Sequence, residues 1–176
     1  AAHFTVVTAD AQTAGKGRSG KHWESAGGMG LWISFLLRTE SVVSSTLVPI
    51  LVGLAASRAL ERLCPSLQPG IKWPNDLMIE GRKLAGILIE QHNEICLVGI
   101  GVNVQKVEQA HAVSLHELGS THASSHVANV VVSSVFSANE LDQVTATTSW
   151  LTRDVLVGTT QSFISDNKQV TGTVLN

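Results

Sequence analysis

Apolar positions along this chain follow two periods. Between residues 46 and 63, Leu47, Ile50, Leu51, Leu54, Ala55 and Leu63 fall at helical spacing, which predicts a helix. Pro49 sits in its first turn, where the missing N–H costs nothing, and Pro65 and Pro69 stop it. Residues 124–142 and 145–154 read as a second and a third helix. Short β-branched runs at 3–8, 31–38, 71–79, 83–91 and 95–104 read as strands, the third interrupted by Pro74, which removes a ladder donor. The run 31–38 is expected to be buried on both faces. In 83–90, strict alternation puts Lys83, Ala85, Ile87 and Ile89 on one face and Leu84, Gly86, Leu88 and Glu90 on the other. Both sets are largely apolar, so this strand is expected to be central and covered on both sides. From 155 onward, Val155, Val157, Phe163, Ile164, Val170 and Val174 alternate with turn residues, as at the start of a small β unit. The expected fold class is α+β: a mixed, mostly antiparallel sheet with packed helices.

Residues 9–30 hold six glycines and few large apolar side chains, and read as a long functional loop. Gly15-Lys16-Gly17-Arg18-Ser19-Gly20 matches the GxGxxG dinucleotide pattern. That pattern requires a helix opening at the motif, and Gly27, Gly28 and Gly30 argue against one. What remains is a set of glycine-freed backbone N–H groups with Lys16, Arg18 and Lys21, which suits a phosphate or carboxylate; a solvated basic turn is the alternative. Trp23, at the end of the loop, could close over a ligand and exclude water.

In Lys72-Trp73-Pro74-Asn75-Asp76-Leu77 the proline forces an exit from the sheet, leaving Asn75 and Asp76 beside the core. Lys72 is expected to hold Asp76 ionised; a plain Asx turn is the alternative. A hairpin over 72–91 returns Lys83 to the same region, where a lysine on a covered strand needs an anionic partner. Gly86, three residues on, permits close approach of a ligand or another backbone.

The chain has 176 residues, enough for one compact domain with a small appendage. A hydrophobic fraction of 44% excludes intrinsic disorder. A net charge of -2 lacks the basic excess of a nucleic-acid binder. No apolar run reaches membrane-spanning length, and no signal peptide is visible. Cys64 and Cys96 form no CxxC and read as buried thiols in a reducing compartment, so a cytoplasmic location is expected. His122 and His126 are spaced i, i+4 with His111 and His116 nearby, but nothing completes a tetrahedral metal set. Six of the 12 Lys and Arg residues, namely Lys16, Arg18, Lys21, Lys72, Arg82 and Lys83, lie in the motifs above, which favours an anionic ligand.

Taken together, GKGRSGKHW (15–23), KWPNDL (72–77), GRKLAGILIE (81–90) and GIGVNV (99–104), in this order, resemble the biotin protein ligase catalytic domain over roughly residues 3–155. The resemblance implies a class II synthetase-like fold, with a biotin- and ATP-binding catalytic domain over 1–154 and the start of a small SH3-like β domain over 155–176. The resemblance places the family's Ser-Thr biotin segment upstream of residue 1 and leads one to expect a β domain longer than the stretch that ends at Asn176. The implied activity is ATP-dependent ligation of biotin to a carrier-domain lysine of acetyl-CoA carboxylase or another carboxylase, through biotinyl-5'-AMP. Lys83 and Arg18 are the implied catalytic residues. Gln12, Gly15, Lys16, Gly17, Trp23, Lys72, Asn75, Asp76, Gly86, Gly101 and Asn103 complete the implied ligand site, with Asp76 and Asn103 near the Mg²⁺ of ATP. Lys16 and Lys21 stand where the family often carries arginine, a point charge in place of a bidentate fork. Neither nucleic acid nor membrane is an expected partner of this chain, and a homodimer is left open. Two alternatives stand beside this reading: a non-catalytic biotin-binding or regulatory module, and a lipoate or octanoyl transferase relative.

Overall fold

The structure, a computed structural model, describes residues 4–38, 48–93, 95–138, 143–165 and 168–175. Six strands form one sheet: β1 (Phe4–Ala9), β2 (Gly30–Arg38), β3 (Gly70–Lys72), β4 (Asp76–Ile79), β5 (Arg82–His92) and β6 (Ile95–Asn103). Their order is β1-β2-β6-β5-β4-β3, and every ladder is antiparallel. Among the described residues, parallel pairing is confined to two isolated bridges, Ile71 with Asp154 and Lys83 with Ala112. The α+β reading holds. The helices are α1 (Val48–Leu63), α2 (Ser124–Ala138) and α3 (Gln143–Leu151); residues 46–47 and 139–142 of the predicted helices lie outside the described residues. The third helix stops at Leu151 because residues 153–155 leave it to bond to Ile71 on the edge of β3, with Ile71 N–H donating to Arg153 O at 2.7 Å. A separate hairpin, β7 (Thr160–Ser165) and β8 (Lys168–Thr173), follows.

Among the described residues the helices cover only one face of the sheet, and this corrects two expectations. On β2, Leu31, Ile33 and Phe35 are buried in the core with Val52, Ala55, Ala59 and Leu60 of α1, while Ser34 is exposed. Residues 31–35 are therefore buried on one face, with Trp32 the exception on the other. Likewise β5 is central in strand order but covered by helices on the side of Ala85 and Ile87 only. Gly86, Leu88 and Glu90 face the other way. The apolar character of Gly86 and Leu88 mimics a buried face because the floor of a surface groove and a core face use the same residue types.

A third correction concerns parity. Asp76 pairs with Gly86 and Leu77 with Ala85, but Met78 pairs with Lys83, leaving Leu84 as an extra residue. This β-bulge shifts the alternation. Lys83 thereby shares a face with Gly86, its Cε 3.2 Å from where a Cβ on Gly86 would stand.

Candidate functional site

One row of paired residues crosses the whole sheet on its helix-free face: Ala9, Trp32, Gly101, Gly86, Asp76 and Lys72. Residues 12–25 form a strap over this row. Its two arms are tied by Gln12 N–H to Ser25 O at 3.0 Å, Trp23 N–H to Gly15 O at 2.9 Å and Gly17 N–H to Lys21 O at 2.7 Å. The tip turns through Ser19 and Gly20, both at positive φ. It reaches the turn between β3 and β4, where Arg18 Nη1 donates to Asn75 Oδ1 at 3.4 Å. Glycine 15 is required by close approach: a Cβ there would meet Trp23 O at 2.3 Å and Gln12 Oε1 at 2.7 Å.

Trp23 stands on the two glycines of the row. A Cβ at Gly101 would lie 2.6 Å from its Cε2, and one at Gly86 2.7 Å from its Cζ3. The Lys83 ammonium sits 4.9 Å from the ring centroid and 2.7 Å from Asp76 Oδ1, an ionic contact without good hydrogen-bond angles. The partner of Asp76 is thus Lys83 and not Lys72, which pairs with Asp76 through the backbone only. Along β5 and β6, Lys83 and Asn103 lie to one side of Trp23's footing and Leu88 and Gly99 to the other. Gly99 is an open floor, with only Leu88 atoms within 4 Å of a Cβ built on it, at 3.8 Å. On this second side an open cavity of about 870 Å³ is lined by residues 14–22, Pro49 at the start of α1, Pro74, Asn75 and residues 87–90.

Asn103 is buried, and its amide donates to Lys83 O and Val113 O, each at 3.1 Å. Together with Lys83 N–H to His111 O and Val113 N–H to Lys83 O, both at 2.9 Å, this fixes the Lys83 backbone against residues 111–113. The Asn103 backbone carbonyl accepts from Leu115 N–H at 3.0 Å, so among the described residues the side-chain Oδ1 is the oxygen left for a ligand. Ser114 and Glu117 lock the following turn: Glu117 Oε2 accepts from Ser114 N–H at 3.1 Å and Oγ at 3.0 Å. The Ser114 hydroxyl, opposed by partial burial, holds the Glu117 carboxyl below its ordinary range. Burial raises the Cys96 thiol, and both cysteines are free and buried.

Of the sequence-predicted residues, Trp23, Lys83, Asp76, Gly86 and Gly101 meet in one cluster, and Arg18 and Asn75 meet at the strap's tip. Gln12 and Gly15 form its root, while Lys16, exposed, bridges to His22 across the strap. Two contributors escaped the sequence reading. Ser25 is buried, with its hydroxyl 3.0 Å from Gln12 Oε1; nothing in the sequence singles it out. Trp32 is buried beside Trp23, ring centroids 6.3 Å apart. Its alternation with Leu31 and Ile33 was the available signal.

A family model described as the biotin/lipoate A/B protein ligase family matches residues 3–106, more than half of the chain. The bifunctional ligase/repressor BirA of Bacillus spizizenii is 40% identical over 109 residues, covering 58% of this chain and 33% of that protein. The biotin--[acetyl-CoA-carboxylase] ligase of Mycobacterium tuberculosis is 34% identical over 121 residues, covering 65% of this chain and 46% of its own length. The chain thus spans half or less of these relatives. Among solved structures, the biotin protein ligase from Aquifex aeolicus in complex with biotin and ATP superposes with a TM-score of 0.84 at 28% identity, covering 96% of this chain and 75% of the other.

Proposed function

The chain belongs to the biotin/lipoate A/B protein ligase family, and on that premise we propose that it activates biotin with ATP and passes it to a lysine of a carboxylase's biotin carrier domain. The observation that carries this reading is the ammonium of Lys83, held by Asp76 and by the Trp23 ring that stands on Gly86 and Gly101. Adenylation joins two anions. A biotin carboxylate oxygen attacks the ATP α-phosphorus, the bond to the β-phosphate oxygen breaks, and pyrophosphate leaves. Bringing these groups together needs fixed positive charge where negative charge accumulates, and a held geometry for the attack. Lys83 offers that charge with its backbone locked by His111 and Val113, and Asp76 orients the ammonium. The apolar floor of Leu88 and Gly99 suits biotin's fused rings, with Gln12 at the root of the strap for polar contact. Arg18, at the tip of the strap, suits the phosphate. In the second step the carrier lysine's amine attacks the acyl carbon, an amide forms and AMP leaves with the bonding electrons; no enzyme nucleophile is needed.

The donor set also fits a magnesium ion carried in with ATP. Mg²⁺ takes few protein oxygens and completes its shell with phosphate and water, and among the described residues the Asp76 carboxylate and the Asn103 side-chain Oδ1 would hold it. Bound there, the ion would neutralise phosphate charge.

Biotin-dependent exchange of pyrophosphate into ATP tests the reading. The parent chain should catalyse it, and Lys83→Ala should lower it roughly tenfold to a hundredfold, the cost of a hydrogen bond to a charged group, with the fold intact. Exchange that is independent of biotin, or untouched in a folded Lys83→Ala variant, would refute it.

A further inference from the structure

Trp32 lies on the ligand side of the sheet, outside the helix-covered core, yet it is only 4% exposed. Its ring is bedded on Gly30, where a Cβ would stand 2.4 Å from Cη2 and 2.6 Å from Cζ2. Its neighbour in space is Trp23, met edge to face at an interplanar angle of 74°. Both indole N–H groups are buried without a hydrogen-bond partner. A buried donor with no acceptor is costly, and a phenylalanine would fill the same place without it. The strand-pair row makes Trp32 the next residue after Gly101, the glycine on which Trp23 stands. Trp23 is thus held at its foot by Gly101 and Gly86, on one side by the Lys83 ammonium, and at its edge by Trp32.

We infer that Trp32 is a positioning residue that fixes the stance of Trp23, and through it the boundary between the Lys83–Asn103 side of the site and the Leu88–Gly99 floor. An indole presents a long rigid edge that phenylalanine reproduces in part and an aliphatic side chain does not. Without that edge Trp23 is free to lean, and the boundary against which a bound biotin would pack is no longer fixed. The functional half of this inference rests on the biotin ligase reading; the structural half does not.

The test uses the full chain labelled with 5-fluorotryptophan. Its four tryptophans give four fluorine signals, and Trp23→Phe assigns that of Trp23. Trp32→Leu and Trp32→Met keep apolar bulk without an aromatic edge, so at least one folded variant is at hand. In either, the Trp23 signal should shift and broaden without ligand, and Trp32→Phe should restore most of the parent line. Biotin affinity should fall about three- to tenfold, the scale of an aromatic pair, and recover in Trp32→Phe. In a Trp23→Ala background, Trp32→Leu should cost nothing further. An unmoved Trp23 signal overturns the assignment whatever the chain's activity; so does an equal affinity loss with or without Trp23, which marks a merely structural residue. A parent chain that exchanges no pyrophosphate refutes the ligase reading instead, and the fluorine signal still decides the role of Trp32.

Discussion

Gly86 and Gly101 are glycines for what stands on them, since neither adopts positive φ. An added methyl at either site would meet the Trp23 ring below 3.0 Å. A side chain can swing aside where backbone cannot, so the sheet tolerates the methyl and the site does not. Gly101→Ala is expected to leave the thermal midpoint within a few degrees of the parent while weakening biotin binding at least tenfold, as read by calorimetric titration. Loss of folding together with binding would mean that Gly101 serves packing instead. Gly15→Ala contrasts with this, because the first obstacle there is the backbone carbonyl of Trp23 and the strap itself must deform. These glycines were legible in the sequence, as was the clustering of cations near them. The partner of Asp76 was not. Proximity in sequence favoured Lys72, whereas the bulge at Leu84 turns Lys83 onto the same face. A bulge arises from register, and an alternating pattern carries no mark of it.

At the scale of elements, the strap and the turn after β6 both act on Lys83, the strap through Trp23 and the turn through backbone. The strap was readable as a ligand loop from its glycines and charges. Its ladder of cross-strap hydrogen bonds was not, because Gln12, Lys21 and Ser25 pair by main chain and side-chain identity is silent about that. The turn at 114–119 carries a pH dependence with a definite sign. Hydrogen bonding from Ser114 depresses the Glu117 carboxyl in the folded chain. A depressed acid stabilises the fold above its unfolded-state range and loses that contribution as pH falls through its folded value. Glu117→Gln should therefore be less stable than the parent at neutral pH, and the gap should close on acidification below the ordinary carboxylate range. A gap that widens with acid would show that the carboxylate is not the group held. Because the same turn carries Val113 onto Lys83, the variant should also speed amide exchange at Val113.

Across the whole molecule, the edge strand β3 is where the C-terminal segment and the site meet. On one side β3 pairs with β4; on the other, residues 153–155 bond to Ile71 in both directions, with Val155 N–H donating back to Ile71 O at 3.1 Å. Gly70 makes the approach possible, since a Cβ there would stand 2.1 Å from Val155 Cγ1. The guanidinium of Arg153 clamps this segment to α1, forking onto Glu61 at 2.6 and 2.8 Å and donating to Ser57 Oγ at 3.0 Å; Ser57 in turn donates to Pro69 O at 2.7 Å. A bidentate arginine–carboxylate pair is among the stronger polar contacts, and partial exposure of both partners reduces its worth. Arg153→Ala should cost about 1–2 kcal/mol of stability in urea unfolding. It should also release a specific amide: Ile71, whose N–H donates to Arg153 O, is expected to exchange faster by about the factor the lost stability implies, while Ile100 at the centre of the sheet changes only with global stability. Since β3 leads directly into Lys72 and the turn that carries Asn75 and Asp76, loosening it should weaken the Arg18–Asn75 contact as well and raise the ATP requirement more than the biotin requirement. Unchanged protection at Ile71 in a folded Arg153→Ala variant would show that the main-chain bridge holds β3 without the clamp, and would uncouple the C-terminal segment from the site.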